Sequence, residues 1–446
     1  MKNTHQKPTD IIADFIIKTK TSDILPDIYT HAKVAFLDWL GVTLAGKNEP
    51  LVKKLLNYSD LMGGREQATV LWHGIKKNMA HAALINGAAS HALDYDDMLM
   101  AIPGHPAVMT FPALLAISEY KECSGLEFLT AFLIGFKVGA VIGGCTGIDH
   151  YLKGWHATST IGHLTAAAVC CRILKLNKIQ TLNALGIAGT QASGLKCSFG
   201  TMCKPFHAGK ASEAGLASAL LAADGFTGTN DVLEAPNGFF QALTGKINHE
   251  KIRTLGKTWE MEDLLQKYHA SCGATHSSIE ASRSILKDNS IIPTNIESIK
   301  VFSSEGGISA AGKPDPQTGL EGKFSIRYCV ANALLNTDTG IQAFTDSRVN
   351  NPQVKKLMEK ITVSADKDVC LLATRVELIT NDGQLYTKTF DIEKDLPNLE
   401  ERKNKVKLKF TDLCEPVLGN SKTNLIIEDV FALEKIQNIK DLARKL

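Results

Sequence analysis

Apolar residues recur at helical spacing through most of the first 265 positions. Asp10 precedes Ile11, Ile12, Phe15 and Ile16, the pattern of a capped amphipathic helix. The segment 28–44 is apolar on nearly every face (Ala35, Phe36, Leu37, Trp39, Leu40, Val42), which predicts a helix buried all round. The same periodicity predicts helices over 79–93, 110–120, 125–143, 157–176, 181–194 and 209–223. Ala and Gly fill contact positions in several of them (GAVIGG, TAAAV, GLASALLAADG), so helix axes can approach closely. A helical domain of stacked antiparallel pairs is the expectation.

Near residue 290 the period changes from helical to alternating. IESIKVFSS (296–304) and ITVSAD (361–366) read as strands, and RVELITNDGQLYTKTF (375–390) as a hairpin turning at Asn381-Asp382-Gly383. SIRYCVANALL (325–335) reads as a helix between them, and Asn351-Pro352 starts another. The expected fold class is therefore two-domain: a large all-α domain formed by both chain ends, and a smaller α+β domain. The boundaries fall at 1–266 for the first helical part, 267–397 for the α+β part, and 398–446 for helices returning to the first domain.

A chain of 446 residues exceeds one ordinary core, which supports the division. Composition (44% apolar, 22% charged, 7% aromatic) is that of a globular protein. A net charge of +2 argues against a general nucleic-acid surface, and the most basic run, RKNKVKLK at 402–409, reads as a solvated helix face. The N-terminal MKNTHQKPTD is polar and does not read as a secretory signal. The stretch Phe128 to Gly144 is short and interrupted by Lys137, so no membrane span is expected. Ten cysteines without a CxxC pair fit reduced thiols in a cytoplasmic protein.

Three clusters carry chemistry. HALDYDDMLMAIPGHP (91–106) gathers His91, Asp94, Asp96, Asp97 and His105, with Asp94 expected in the last turn of a helix, where the dipole disfavours an acid. For Asp96 and Asp97 a solvated acidic turn and a functional role both stay open. His105, between Gly104 and Pro106, sits in a constrained turn that could aim its ring. GWHATSTIGH (154–163) places His156 near a helix start, as either a functional or a capping histidine, whereas His163 lies in an apolar run and reads as a core residue. TMCKPFHAGKA (201–211) brings Lys204, His207 and Lys210; Lys204 precedes Pro205 and is expected in extended backbone. The segment lacks the full P-loop pattern. Further on, His269, Cys272 and His276 form a weaker cluster, a Cys–His nucleophilic pair or a polar lining, while Lys323, Arg327 and Tyr328 share a helical approach. Acids, imidazoles and lysines on separate segments suit proton transfer on an anionic substrate.

Taken in order, HALDYDD…GHP, GWHATSTIGH, KPFHAGKA, GATH and KFSIRYCVA resemble the MmgE/PrpD family across essentially the whole chain. That family includes 2-methylcitrate dehydratase, cis-aconitate decarboxylase and iminodisuccinate epimerase. The resemblance implies a helical domain from both chain ends, an α+β lid inserted between them, a homodimer, and no metal or organic cofactor. It implies a lyase moving a proton on carbon next to a carboxylate in a small polycarboxylate, with decarboxylation of cis-aconitate to itaconate as the leading reaction. Carried over by residue, the decarboxylase pattern falls on Asp94, His105, His156, Lys204 and Tyr328 as catalytic groups. His207, His276, Lys323 and Met98 would line the substrate, and Tyr328 would complete the site on lid closure. Met98 departs from the pattern, standing where the decarboxylases carry threonine, which bears on the exact substrate. The KPFH segment fits decarboxylase-like and epimerase-like members better than methylcitrate dehydratases. Two readings from other classes are a metal-dependent helical hydrolase, with His91, Asp94, Asp97, His105 and His156 as ligands, and a non-catalytic carboxylate binder.

Overall fold

The computed structural model describes residues 6–245 and 247–446; the polar run 1–5 at the N-terminus lies outside the described residues. Contacts divide the chain into two units, one of residues 1–266 and 399–446, the other of 267–398.

The first unit is mostly helical. Its helices include α1 (Pro8–Lys18), α2 (Pro26–Gly46), α3 (Pro50–Met62), α4 (Met79–His91), α5 (Pro106–Lys121), α6 (Gly125–Leu152), α7 (Ala157–Leu174), α8 (Lys178–Thr190) and α9 (Cys203–Ala223). Local chemistry sets their starts. The Asn78 side chain accepts from the His81 N–H, Ser124 and Glu127 form a capping box on α6, and Pro106 occupies the first turn of α5. That proline starts α5 four residues before its periodicity suggests, because a first-turn residue needs no N–H partner. The same tolerance overturns the expectation for Lys204. Pro205 lies in the first turn of α9, so Lys204 is helical rather than extended.

The unit is not wholly α. A two-stranded antiparallel ribbon, β1 (Ala68–Val70) and β2 (Ile75–Lys77), interrupts the helices. The Asn86 side chain holds it, accepting from the Leu71 N–H and donating to the Thr69 carbonyl, each at 2.9 Å. Three-residue strands are too short to leave an alternating pattern.

Helix α6 runs on to Leu152, breaking at Gly147, so the expectation of a stretch too short to span a membrane does not hold. Both α6 and α7 are long and apolar enough to cross a membrane, and their most apolar 18-residue stretches are almost wholly buried inside this unit. The helix Leu399–Leu418 packs on α2, where Phe410 closes on Gly41. The basic run lies on this helix, but Arg402 and Lys409 are buried rather than solvated.

The second unit carries a four-stranded sheet, β3 (Ile296–Ser303), β4 (Ile361–Ala365), β5 (Ala373–Thr380) and β6 (Leu385–Asp391), in the order β4-β3-β5-β6. β3 and β4 are parallel, while β3–β5 and β5–β6 are antiparallel. The β5–β6 hairpin turns at Asn381-Asp382-Gly383, with Gly383 at φ +79°. The helices His276–Asn289 and Ile326–Leu335 pack together, and the former covers β5 and β6. Ser325 caps the second, and Asn351 caps Pro352–Glu359.

Candidate active site

The close approach of α4 and α9 starts the site. A Cβ on Gly209 would lie 2.2 Å from the Leu84 carbonyl oxygen, and one on Gly87 would lie 2.8 Å from Gly209 Cα. Only glycine at both positions allows this spacing. It brings the residues after α4 to the first turns of α9.

α4 ends at His91, so Asp94 stands beyond the helix rather than in its last turn. It is held at φ +53°, a left-handed backbone that aspartate tolerates better than most residues. The Asp94 carboxylate lies 2.6 Å from Lys204 Nζ, and both side chains are nearly buried. Lys204 Nζ also faces the Phe199 ring at 5.5 Å.

Asp96 is completely buried between two histidines. Its Oδ2 lies 2.8 Å from His91 Nδ1 and 3.1 Å from His105 Nδ1. His105 Nδ1 also donates to the Asp97 carbonyl at 2.6 Å, and His105 Nε2 lies 4.0 Å from Asp94 Oδ1. Asp97 turns away from the histidines, its Oδ1 accepting from the Ala107 N–H at the start of α5. The chain around His105 is fixed from the α7 side, because the His105 N–H donates to Thr158 Oγ1 at 3.2 Å.

His156 precedes α7, and its N–H donates to the Gly194 carbonyl. Its Nδ1 pairs with His207 Nδ1 at 3.2 Å, and its ring stacks on His91 with centroids 5.8 Å apart. Phe199 meets it edge-on at 4.9 Å. Nε2 of His91 and Nε2 of His156 are buried and lack a hydrogen-bond partner among the described residues.

Burial and neighbouring charge sort these groups. Burial pushes His91 down to about 4, with Lys204 adding to the effect and Asp96 opposing it. Burial, with His91 and Lys204 nearby, holds His156 well below the usual imidazole range. Burial opposes the charge on Asp96, yet its contacts with His91 and His105 hold that carboxyl well below the usual carboxylate range. Asp97 is pushed well above it by burial and by the Asp96 and Asp38 carboxylates. Two imidazoles whose charging burial opposes (His91 and His156), a carboxyl held low at Asp96, one pushed high at Asp97 and a lysine–carboxylate pair thus share one small volume.

Asp94, His105, His156, Lys204 and His207 therefore come together. Met98 is tied beside them by its backbone, its N–H donating to the Leu265 carbonyl at 2.8 Å. His276, Lys323 and Tyr328 belong to the second unit. There the Tyr328 hydroxyl donates to the Ala343 carbonyl inside the unit's core, and burial pushes its pKa up. His276 Nε2 donates to the Ser271 carbonyl at 3.2 Å, and Lys323 Nζ faces the Phe344 ring at 5.7 Å. His269 bridges Thr339 and Glu280, while His163 is a core histidine bonded to the Ser159 carbonyl.

Three participants escaped the motif reading. Phe199 walls His156 and Lys204. Lys409 and Asp38, 2.7 Å apart and buried, sit behind the acidic loop, with Lys409 Nζ donating to the Tyr95 carbonyl at 2.7 Å. An acid inside the apolar run 34–42 of α2 was the available signal for Asp38.

His91, Asp94, Asp96 and His105 each offer one donor atom, and these atoms lie within 4.8 Å of one another, close enough to surround an ion. Their present partners fit that role poorly. Both histidine Nδ1 atoms already share Asp96 Oδ2, and the Lys204 ammonium beside Asp94 would repel a dication.

Residues 10–251 match the MmgE/PrpD N-terminal domain, and 269–433 match the MmgE/PrpD C-terminal domain. A cis-aconitate decarboxylase of Aspergillus terreus is 29% identical, covering 96% of this chain and 93% of that protein. A cis-aconitate decarboxylase-like protein of Aspergillus oryzae is 28% identical over 97% of this chain and 95% of its own length. The cis-aconitate decarboxylase of Mus musculus is 26% identical over 98% and 95%.

Proposed function

The chain belongs to the MmgE/PrpD family, and from that premise we propose that it is a cofactor-independent lyase acting on a small di- or tricarboxylic acid, with cis-aconitate decarboxylation to itaconate as its reaction. The observation that carries this reading is the Asp94–Lys204 pair set against three imidazoles in one buried cluster. The near full-length likeness to proteins named cis-aconitate decarboxylases supports the choice of substrate.

In this reading Lys204, with His207, receives substrate carboxylates and stabilises the charge that develops when carbon dioxide leaves. The C–C bond breaks, its electron pair stays on carbon, and a histidine delivers the proton that closes the reaction. His105 and His156 are the acid–base candidates, with Asp94 tuning both Lys204 and His105. The protein acts as a homodimer, which light scattering of the purified chain would check.

Proton NMR with cis-aconitate in buffered heavy water tests the proposal. Itaconate carrying deuterium at one carbon is the expected product. Inert cis-aconitate, with turnover or carbon-bound exchange on methylcitrate or an amino- or iminosuccinate, would replace decarboxylation by dehydration or epimerisation. Met98 makes that panel necessary, since threonine's hydroxyl is missing there.

A second reading, metal-assisted hydrolysis, rests on four donor atoms within 4.8 Å, against the Lys204 ammonium and the histidine–Asp96 bonds already made there. Stoichiometric zinc, manganese or iron in the purified protein, with activity lost on chelation, would establish it over the first.

A further inference from the structure

We propose that Asp96 and His91 are positioning residues for proton transfer: Asp96 reinforces the Nδ1-protonated tautomer that the Asp97 carbonyl sets on His105, leaving Nε2 to carry the proton exchanged with substrate, and His91 secures Asp96 from the other side. The proposal rests on the reading above in which His105 exchanges a proton with a carboxylate substrate.

The geometry leaves His105 one tautomer. Its Nδ1 lies 2.6 Å from the Asp97 carbonyl oxygen, and a carbonyl only accepts. The hydrogen therefore sits on Nδ1 and the lone pair on Nε2. Asp96 Oδ2 lies 3.1 Å from the same nitrogen and adds a negative charge to that neutral acceptor.

The adjacent acids divide the work. Asp97 caps α5 with Oδ1. Asp96 Oδ1 is buried without a hydrogen-bond partner among the described residues, so the carboxylate is oriented through Oδ2, on which His91 and His105 converge. A buried carboxylate held this sparingly is an expensive structural device. Its placement against two imidazoles accounts for that cost. To deliver the proton that replaces carbon dioxide, His105 must first carry it on Nε2 as an imidazolium, taken up from solvent; that cation is met by a fixed negative charge, and no proton moves to Asp96.

His91 is placed to serve the same array. Its ring lies between those of His105, at 4.6 Å, and His156, at 5.8 Å. Its Nδ1–H holds Asp96 Oδ2 at 2.8 Å. Without it, Asp96 would depend on His105 alone and could rotate.

The test combines tautomer state with kinetics. Long-range proton–nitrogen correlation spectra of 15N-histidine-labelled protein report which imidazole nitrogen carries hydrogen, with signals assigned through His91→Gln and His105→Gln. Wild type should show Nδ1–H for both residues. In Asp96→Asn the amide can present its NH2 to His105, so a share of His105 moves to the Nε2–H tautomer. kcat should fall roughly 10²–10⁴-fold with KM changed less than about threefold. His91→Gln keeps one donor to Asp96 and should lower kcat about tenfold while His105 stays Nδ1–H. If Asp96→Asn leaves both the His105 tautomer and kcat as in wild type, the role of Asp96 is overturned. Wild-type kcat in His91→Gln removes His91. Should Asp96→Asn fail to fold, Asp96→Glu, which keeps the charge, must restore the Nδ1–H signal, and failure to do so overturns the proposal. A wild-type protein inert toward every polycarboxylate would sink the functional reading, while the tautomer measurement would still decide Asp96.

Discussion

Lys204 Nζ stands 2.6 Å from Asp94 Oδ1, across 110 positions of sequence, and the two side chains are nearly buried. An ion pair in that setting is costly to assemble and costlier to break, because removing one partner takes the nearest opposite charge from the other in a nearly buried place. Its formation depends on the glycine contact between α4 and α9. In the proposed reaction, a substrate carboxylate arriving at Lys204 would compete with Asp94 for the ammonium, and the pair would keep Lys204 in place before binding.

Lys204→Met should therefore lower turnover by at least about 10²-fold. It should also destabilise the protein, by up to about 3–5 kcal/mol. Asp94→Asn combined with Lys204→Met removes both charges and should recover much of that stability but none of the activity. Urea unfolding and turnover, measured on the single and double variants, separate the two effects. Wild-type turnover in Lys204→Met would remove Lys204 from the site.

The long periodic helices were legible because an apolar stripe repeated over many residues leaves one economical fold. The hairpin at Asn381-Asp382-Gly383 was legible because its turn residues are specific. β1 and β2 were not, since a three-residue strand carries no period. Lys204 shows two rules in conflict: proline's bias against a preceding helical residue lost to its tolerance in a first turn. The end of α4 was set by left-handed backbone at Asp94, which no glycine announced. In the site, the clusters were visible as separate motifs, but the pairings Asp94–Lys204 and His156–His207 depend on tertiary packing. Arg402 and Lys409 were hidden by the charges around them, although they share their buried helix face with Val406 and Phe410.

Lys409→Met tests that hidden support. Lys409 neutralises Asp38 at 2.7 Å and donates to the Tyr95 carbonyl, and its ammonium lies 3.9 Å from the Tyr95 ring centroid. Removing it leaves Asp38 buried beneath the loop that carries Asp96 and Asp97. A loss of about 3–5 kcal/mol is expected, with a lowered kcat in whatever protein remains folded. Asp38→Asn with Lys409→Met should restore part of the stability. An unchanged urea midpoint in the single variant would show that the pair contributes nothing.

Asp97→Asn should be nearly silent at neutral pH, which separates Asp97 from its neighbour. Burial and two nearby carboxylates push the Asp97 carboxyl well above the usual carboxylate range, and an amide oxygen can keep the bond to the Ala107 N–H. The sign follows from its raised pKa. The folded state keeps a proton that the unfolded state releases above the ordinary carboxylate range, so this group's stabilisation is full at low pH and shrinks as pH rises. The stability of Asp97→Asn relative to wild type should therefore improve with pH. Asp97→Ala, which loses the cap, should cost about 1 kcal/mol. Urea midpoints from pH 5 to 9 decide this, and a large loss in Asp97→Asn at pH 7 would show that Asp97 is needed as a charge.

Buried histidines should make the protein acid-sensitive well above the range where carboxylates titrate. Burial brings both His91 and His163 down to about 4, from an ordinary value of 6.5. Below 6.5 the unfolded chain takes up protons that the folded chain refuses until about 4, so each group's stabilisation is complete above 6.5 and is lost as pH falls. Within that window each such histidine contributes a slope of about 1.4 kcal/mol per pH unit. His163 isolates the effect, because it bonds only to the Ser159 carbonyl at 2.7 Å among the described contacts and takes no part in the pairing of the other imidazoles. A glutamine there can keep a donor to that carbonyl and has nothing to titrate. His163→Gln should thus be less stable than wild type at pH 7.5, through imperfect packing, yet lose stability more slowly toward pH 5, with a slope smaller by about one proton. Parallel slopes for the two proteins would mean that His163 is charged in the fold, and that the interior around Ser159 is wetter than its burial indicates.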